Sequence, residues 1–97
     1  DLAGNHINDL TPLASLTSLE DLLLDRNQVT DLSALSRLTK LQNLGLEDNR
    51  ITDLTPLMQL KQLKSVQLKN NRHLTKAQVQ TLLQALPGCK IDSNAEQ

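Results

Sequence analysis

Residues 9–30 read DLTPLASLTSLEDLLLDRNQVT, and the chain returns to that text twice. It runs DLSALSRLTKLQNLGLEDNRIT over 31–52 and DLTPLMQLKQLKSVQLKNNRHLT over 53–75, the last with one extra residue. Asn5, Asn27, Asn49 and Asn71 fall 22 apart, and leucines keep columns in the same way: Leu16, Leu38 and Leu60, or Leu19, Leu41 and Leu63. A fixed period of this length marks a solenoid, in which each unit stacks only on its neighbours and the core is one continuous column. Within a unit, Leu19, Leu22, Leu24 and Asn27 spell LxxLxLxxN. That spacing switches from three to two and back, as when a short strand sits inside a coil, and it excludes a simple helical bundle.

The longer pattern LxxLxLxxNxIxDLxxLxxL resembles the 22-residue leucine-rich repeat of the internalin-like type, and the match covers residues 1–75. The resemblance implies an α/β leucine-rich repeat solenoid: a right-handed superhelix with short parallel strands on the concave face and short helical turns on the convex face. It also leans toward a bacterial protein, at the cell surface or secreted. Residue chemistry agrees with the architecture. Leu22 and Leu24 alternate inward, and Thr11 before Pro12 and Thr55 before Pro56 supply a hydroxyl cap ahead of a proline suited to the first helical position.

Composition limits the remaining classes. Leucine supplies 23 of the 37 apolar residues and Phe, Tyr and Trp are absent, so no surface can stack aromatic rings on bases, sugars or flat cofactors. The formal charge of −1 gives no overall basic field for nucleic acid. No apolar run approaches the ~20 residues of a membrane span, so no membrane insertion is expected. The lone Cys89 fits the cytosol and does not exclude export.

Two polar columns have structural explanations. An asparagine amide offers donor and acceptor together where the strand turns and backbone groups would otherwise be buried unpaired. Asp9, Asp31 and Asp53 are best explained as caps of the outer turns or as solvated charges rather than as a metal site.

The ends differ. After Leu74, TKAQVQTLLQALPG reads as an amphipathic helix with a Thr75–Gln78 capping box, an apolar face of Val79, Leu82, Leu83 and Leu86, and a Pro87–Gly88 stop. CKI at 89–91 then fits a last strand, with Cys89 and Ile91 inward, and LPxCKI resembles the closing segment of bacterial leucine-rich repeat proteins. The chain is thus organised as one domain over 1–97: a partial repeat at 1–8, repeats at 9–30, 31–52 and 53–75, and a C-terminal helix-strand cap and tail at 76–97. No cap precedes Asp1. A C-terminal part of a longer solenoid is therefore expected, with self-association through the open N-terminal end.

Function is expected on the inner strand face, whose outward positions the core does not need. Candidate partner-binding residues are Asp21, Leu23, Asp25, Arg26, Asn43, Glu47, Asp48, Gln67 and Lys69. Asp25 and Glu47 are adjacent like charges, which cost stability and point to a cationic patch on the partner, unless Lys69 or Arg26 neutralises them. Leu23 turns out of the core and is the candidate interface anchor.

Catalysis lacks its parts. His6 and His73 stand three repeats apart, roughly 14 Å along the stack, and no Ser-His-Asp set, glycine-rich phosphate loop or Cys/His cluster is present. The expectation is a non-catalytic module without cofactor or metal that binds another protein. The alternative is a structural spacer that extends or closes a longer array.

Overall fold

The computed structural model describes residues 1–93, so the last four residues of the expected cap and tail lie outside the description. Three rungs, two of 22 residues and the third of 23, each carry a one-turn 3₁₀ helix and a three-residue strand. The helical turns are Thr11–Leu13, Ser33–Leu35 and Thr55–Leu57. Strands β1 (Asp21–Leu23), β2 (Asn43–Gly45) and β3 (Ser65–Gln67) follow them. Helix α1 (Lys76–Ala85) and strand β4 (Lys90–Asp92) close the chain. The four strands form one parallel sheet in sequence order, with Leu22 opposite Leu44, Leu44 opposite Val66 and Val66 opposite Ile91. The solenoid of short parallel strands and brief outer turns is therefore the architecture of the molecule.

Register explains the core. Because strand side chains alternate, holding residues 22 apart in register stacks every inward leucine on its counterpart. Leu24, Leu46 and Leu68 are buried in one column, and Leu35 and Leu57 in another. The columns are not equivalent along their length. Leu38 and Leu60 are fully buried, yet Leu16 is 46% exposed, since no helical turn lies over it on the N-terminal side. Residues 2–4 still extend the sheet, with Leu2 N donating to Leu23 O and Gly4 N to Asp25 O, both at 2.9 Å.

One detail of the outer turns differs from expectation. The threonine hydroxyl does not cap the turn. Thr11 N, Ser33 N and Thr55 N instead each donate 2.9 Å to the carboxylate two residues earlier, on Asp9, Asp31 and Asp53. A carboxylate reaches forward two residues as an Asx turn and is the stronger acceptor, so it takes the place of the hydroxyl on the backbone N–H. Side-chain and backbone bonds from Thr11 and Thr55, and backbone and side-chain bonds from Ser33, hold all three carboxyls below the usual carboxylate range.

The Thr75–Gln78 capping box is present in both directions, and Gln78 Nε2 also donates to Thr52 O on the preceding rung. Leu82 and Leu86 are buried beneath α1 with Val79 beside them, but Leu83 is 45% exposed. The helix rests on the stripe through Leu82 and Leu86, and Leu83, one residue on from Leu82, is turned past the edge of the last rung. Cys89 is buried and Ile91 half-buried, while Lys90 points to solvent.

Candidate functional site

The sheet face is built by the outward positions of the four strands, and its polar side chains bond mainly to one another. Asn43 Nδ2 donates to Asp21 Oδ1 at 2.6 Å, and Ser65 Oγ donates to Asn43 Oδ1 at 2.8 Å. A line of side-chain hydrogen bonds therefore crosses β1, β2 and β3 at their first residues. At the far end, Lys69 Nζ lies 3.6 Å from Asp92 Oδ1, the one ion pair among the described residues. Both partners are well exposed, so the pair adds little stability.

The expected Asp25–Glu47 charge pair has a different structure. Asp25 Oδ1 accepts the Glu47 backbone N–H at 2.7 Å, and the carboxylate lies over Gly45. A Cβ at Gly45 would stand 3.0 Å from Asp25 Oδ2 and 3.1 Å from Leu23 Cδ2. The missing side chain is what lets Asp25 and Leu23 lean across the neighbouring strand. Leu23 remains 37% exposed and Gln67 half-buried. Lys69 is committed to Asp92 and does not neutralise Asp25 or Glu47.

Arg26 and Asp48 belong to a turn that follows the strands. With Asn70 they occupy the left-handed region, at φ 58°, 57° and 64°, in register with Gly4 at 74°. Each is exposed, and each precedes a buried asparagine that fastens the rungs together. Asn27 Oδ1 accepts from Asn5 N and Ile7 N, both at 2.8 Å, while its amide donates to Leu2 O and Leu24 O. Asn49 and Asn71 repeat the device, accepting from Val29 N and Ile51 N and donating to Leu24 O and Leu46 O of the preceding rungs. No buried side-chain polar atom among the described residues is left without a partner.

Among the described residues no group of three or more His, Cys, Asp and Glu is arranged to hold a metal ion, and no helix is long and apolar enough to cross a membrane. Burial pushes the Cys89 thiol up, away from the reactive thiolate.

Solved structures of two proteins from Listeria monocytogenes resemble the chain. Internalin C2 superposes with a TM-score of 0.81 at 35% identity, over 95% of this chain and 41% of its own length. Internalin F does so with 0.76 at 27% identity, over 98% of this chain and 35% of its own. The chain thus spans well under half of either molecule. No family model matches it, and no curated protein does.

Proposed function

We propose that this chain, an internalin-like leucine-rich repeat solenoid of bacterial type, is a non-catalytic protein-interaction module that meets its partner protein on the concave strand face. The observation that carries the proposal is Leu23, an exposed leucine on a strand whose core duty falls to Leu22 and Leu24. It leans over Gly45 beside the Asp25 carboxylate and is flanked by Asp21, Asn43, Glu47 and Gln67. A leucine anchor within a polar surround is the arrangement expected of an interface centre.

Size sets the strength of such contact. Four strands of three residues present a face of roughly 14 by 10 Å at ordinary strand spacings. A stable interface covers about 800 Å² per partner. The strand face alone is several-fold too small, so tight binding calls on the flanking turns or on further rungs.

Photo-crosslinking from Leu23, Gln67 and Lys69, compared with crosslinking from Gln59 on the outer side, tests the proposal. These positions leave the backbone hydrogen bonds intact, whereas replacing Asp25 would also free Glu47 N. One partner protein captured from the inner positions and not from Gln59 is expected. Equal capture from both sides defeats the proposal.

A spacer role is favoured by a separate observation. Asp21, Asn43, Ser65, Asp25, Lys69 and Asp92 already satisfy one another or the backbone and require no ligand. Absence of any captured partner from the inner face would establish that role instead.

A further inference from the structure

The third repeat carries one residue more than the others, and the core does not use it. Asn71-Arg72-His73-Leu74 stands where the previous rung has Asn49-Arg50-Ile51. Leu74 takes the buried place of Ile51, and the added residue leaves Arg72 and His73 in a solvent-exposed turn. The rung below shows what the insertion changes. Gln28 N donates to Ile7 O and Arg50 N to Val29 O, tying each rung to the one before it. At the insertion the chain instead closes on itself, with Leu74 N donating to Asn71 O at 3.1 Å.

The outcome is an open cleft of about 430 Å³ at the edge where β2 and β3 end, lined by Asp48, Asn49, Arg50, Asn70, Arg72 and His73. Arg50 and Arg72 are equivalent residues one rung apart, so two arginines line the same opening. The same column in the N-terminal half holds His6 and Gln28, which meet each other, with Gln28 Nε2 3.3 Å from His6 Nδ1. Neither arginine is in an ion pair with a described residue, although Asp48 lines the same cleft.

We infer that this edge cleft binds an acidic, extended peptide segment of a partner protein, with Arg50 and Arg72 gripping a carboxylate of the segment. Two arginines that line one cleft, neither held in an ion pair, repel one another until an anion is shared between them. A guanidinium presents a planar fork of donors that matches a carboxylate. Asp48 selects among anions: it repels a dianionic phosphate but accepts an N–H from a peptide backbone laid along the cleft. The site lies off the strand face and stands or falls independently of the function proposed above.

Fluorescence anisotropy of a labelled Glu-rich decapeptide against the purified chain tests it. Arg50→Gln/Arg72→Gln should weaken binding at least about tenfold with an unchanged thermal midpoint, since both residues are exposed. Arg37→Gln/Lys40→Gln, which removes equal charge ahead of β2, should change it less than about twofold, as should Leu23→Ala on the strand face. Deleting His73 restores the 22-residue spacing and should abolish binding. Equal loss in both charge-removed variants would reduce the effect to net charge and overturn the inference. So would equal binding of the Gln analogue of the peptide, displacement by equimolar inorganic phosphate, or no binding at millimolar peptide.

Discussion

The Asp25 carboxylate reaches across to the next rung and accepts the Glu47 backbone N–H at 2.7 Å, over the strand position that Gly45 leaves bare. What the sequence presents as two repelling acids is in the structure a cross-rung hydrogen bond enabled by a glycine. Stability and the shape of the sheet face meet at this contact.

Gly45→Ala should therefore destabilise. Alanine in a strand is ordinarily better than glycine by about 0.5–1 kcal/mol, but here its Cβ meets Asp25 Oδ1 at 3.1 Å and forces the carboxylate off Glu47 N. A lost charge-assisted hydrogen bond costs about 1.5–3 kcal/mol, so the net change is a loss of about 1 kcal/mol. In an Asp25→Ala background the same substitution should become neutral or favourable. Urea denaturation of the double-mutant cycle checks the sign, and an unchanged cost in the Asp25→Ala background would refute the coupling.

Arg26→Gly should stabilise the chain. Arg26 holds φ 58° at an exposed turn where the register-equivalent residue of the first rung is Gly4. A left-handed L-residue costs roughly 1–2 kcal/mol, partly offset by glycine's greater freedom when unfolded, leaving a gain of about 0.5–1 kcal/mol. Thermal melting should show a raised midpoint, and a lowered one would mean that the Arg26 side chain makes a stabilising contact.

Asn49→Ala and Asn49→Asp should both destabilise by roughly 2–4 kcal/mol, because Asn49 is buried and joins two rungs. Alanine orphans Val29 N and removes the cross-rung donor to Leu24 O, which then keeps only the bond from Asn27 Nδ2. Aspartate keeps the acceptor but cannot donate to Leu24 O or Glu47 O at 3.0 and 3.1 Å. Chemical denaturation that found either variant within about 0.5 kcal/mol of the parent chain would remove the asparagine column from its rung-joining role.

Acid should weaken the fold through the outer turns. Asp9, Asp31 and Asp53 have their carboxyls held below the ordinary value of 3.8 by bonds from Thr11, Ser33 and Thr55. A folded-state pKa below the unfolded one contributes stability that is complete above the unfolded value and is lost as pH falls through the folded value. The loss should thus begin near pH 4 and grow below it. A variant with all three changed to Asn should show a flatter stability curve in that range, measured by melting between pH 2 and 6. An identical slope in both proteins would show that other carboxylates govern acid unfolding.

The period of the leucines made the solenoid, the inward strand positions and the closing helix with its capping box legible from residues alone. Other features were visible only in part. The Asp column is recognisable from its spacing as a turn device, but Thr11 and Thr55 invite the same reading, because a carboxylate reaching forward two residues leaves the same sequence trace as a hydroxyl cap. Leu83 and Leu16 read as core from spacing and are exposed, since helical angle and column membership do not say where the neighbouring layer stops. The cleft at Arg50 and Arg72 had one trace in the sequence, the extra residue in the third repeat.

The sequence by itself determined which residues share a column, because a 22-residue period in a parallel stack leaves no freedom of register once the leucines face inward. Only the tertiary structure decided what each column does at its surface. Asp25 meets a backbone amide instead of Glu47's carboxylate, and Lys69 meets Asp92, because such contacts depend on ångström-scale openings like the one at Gly45, to which a repeat pattern is blind.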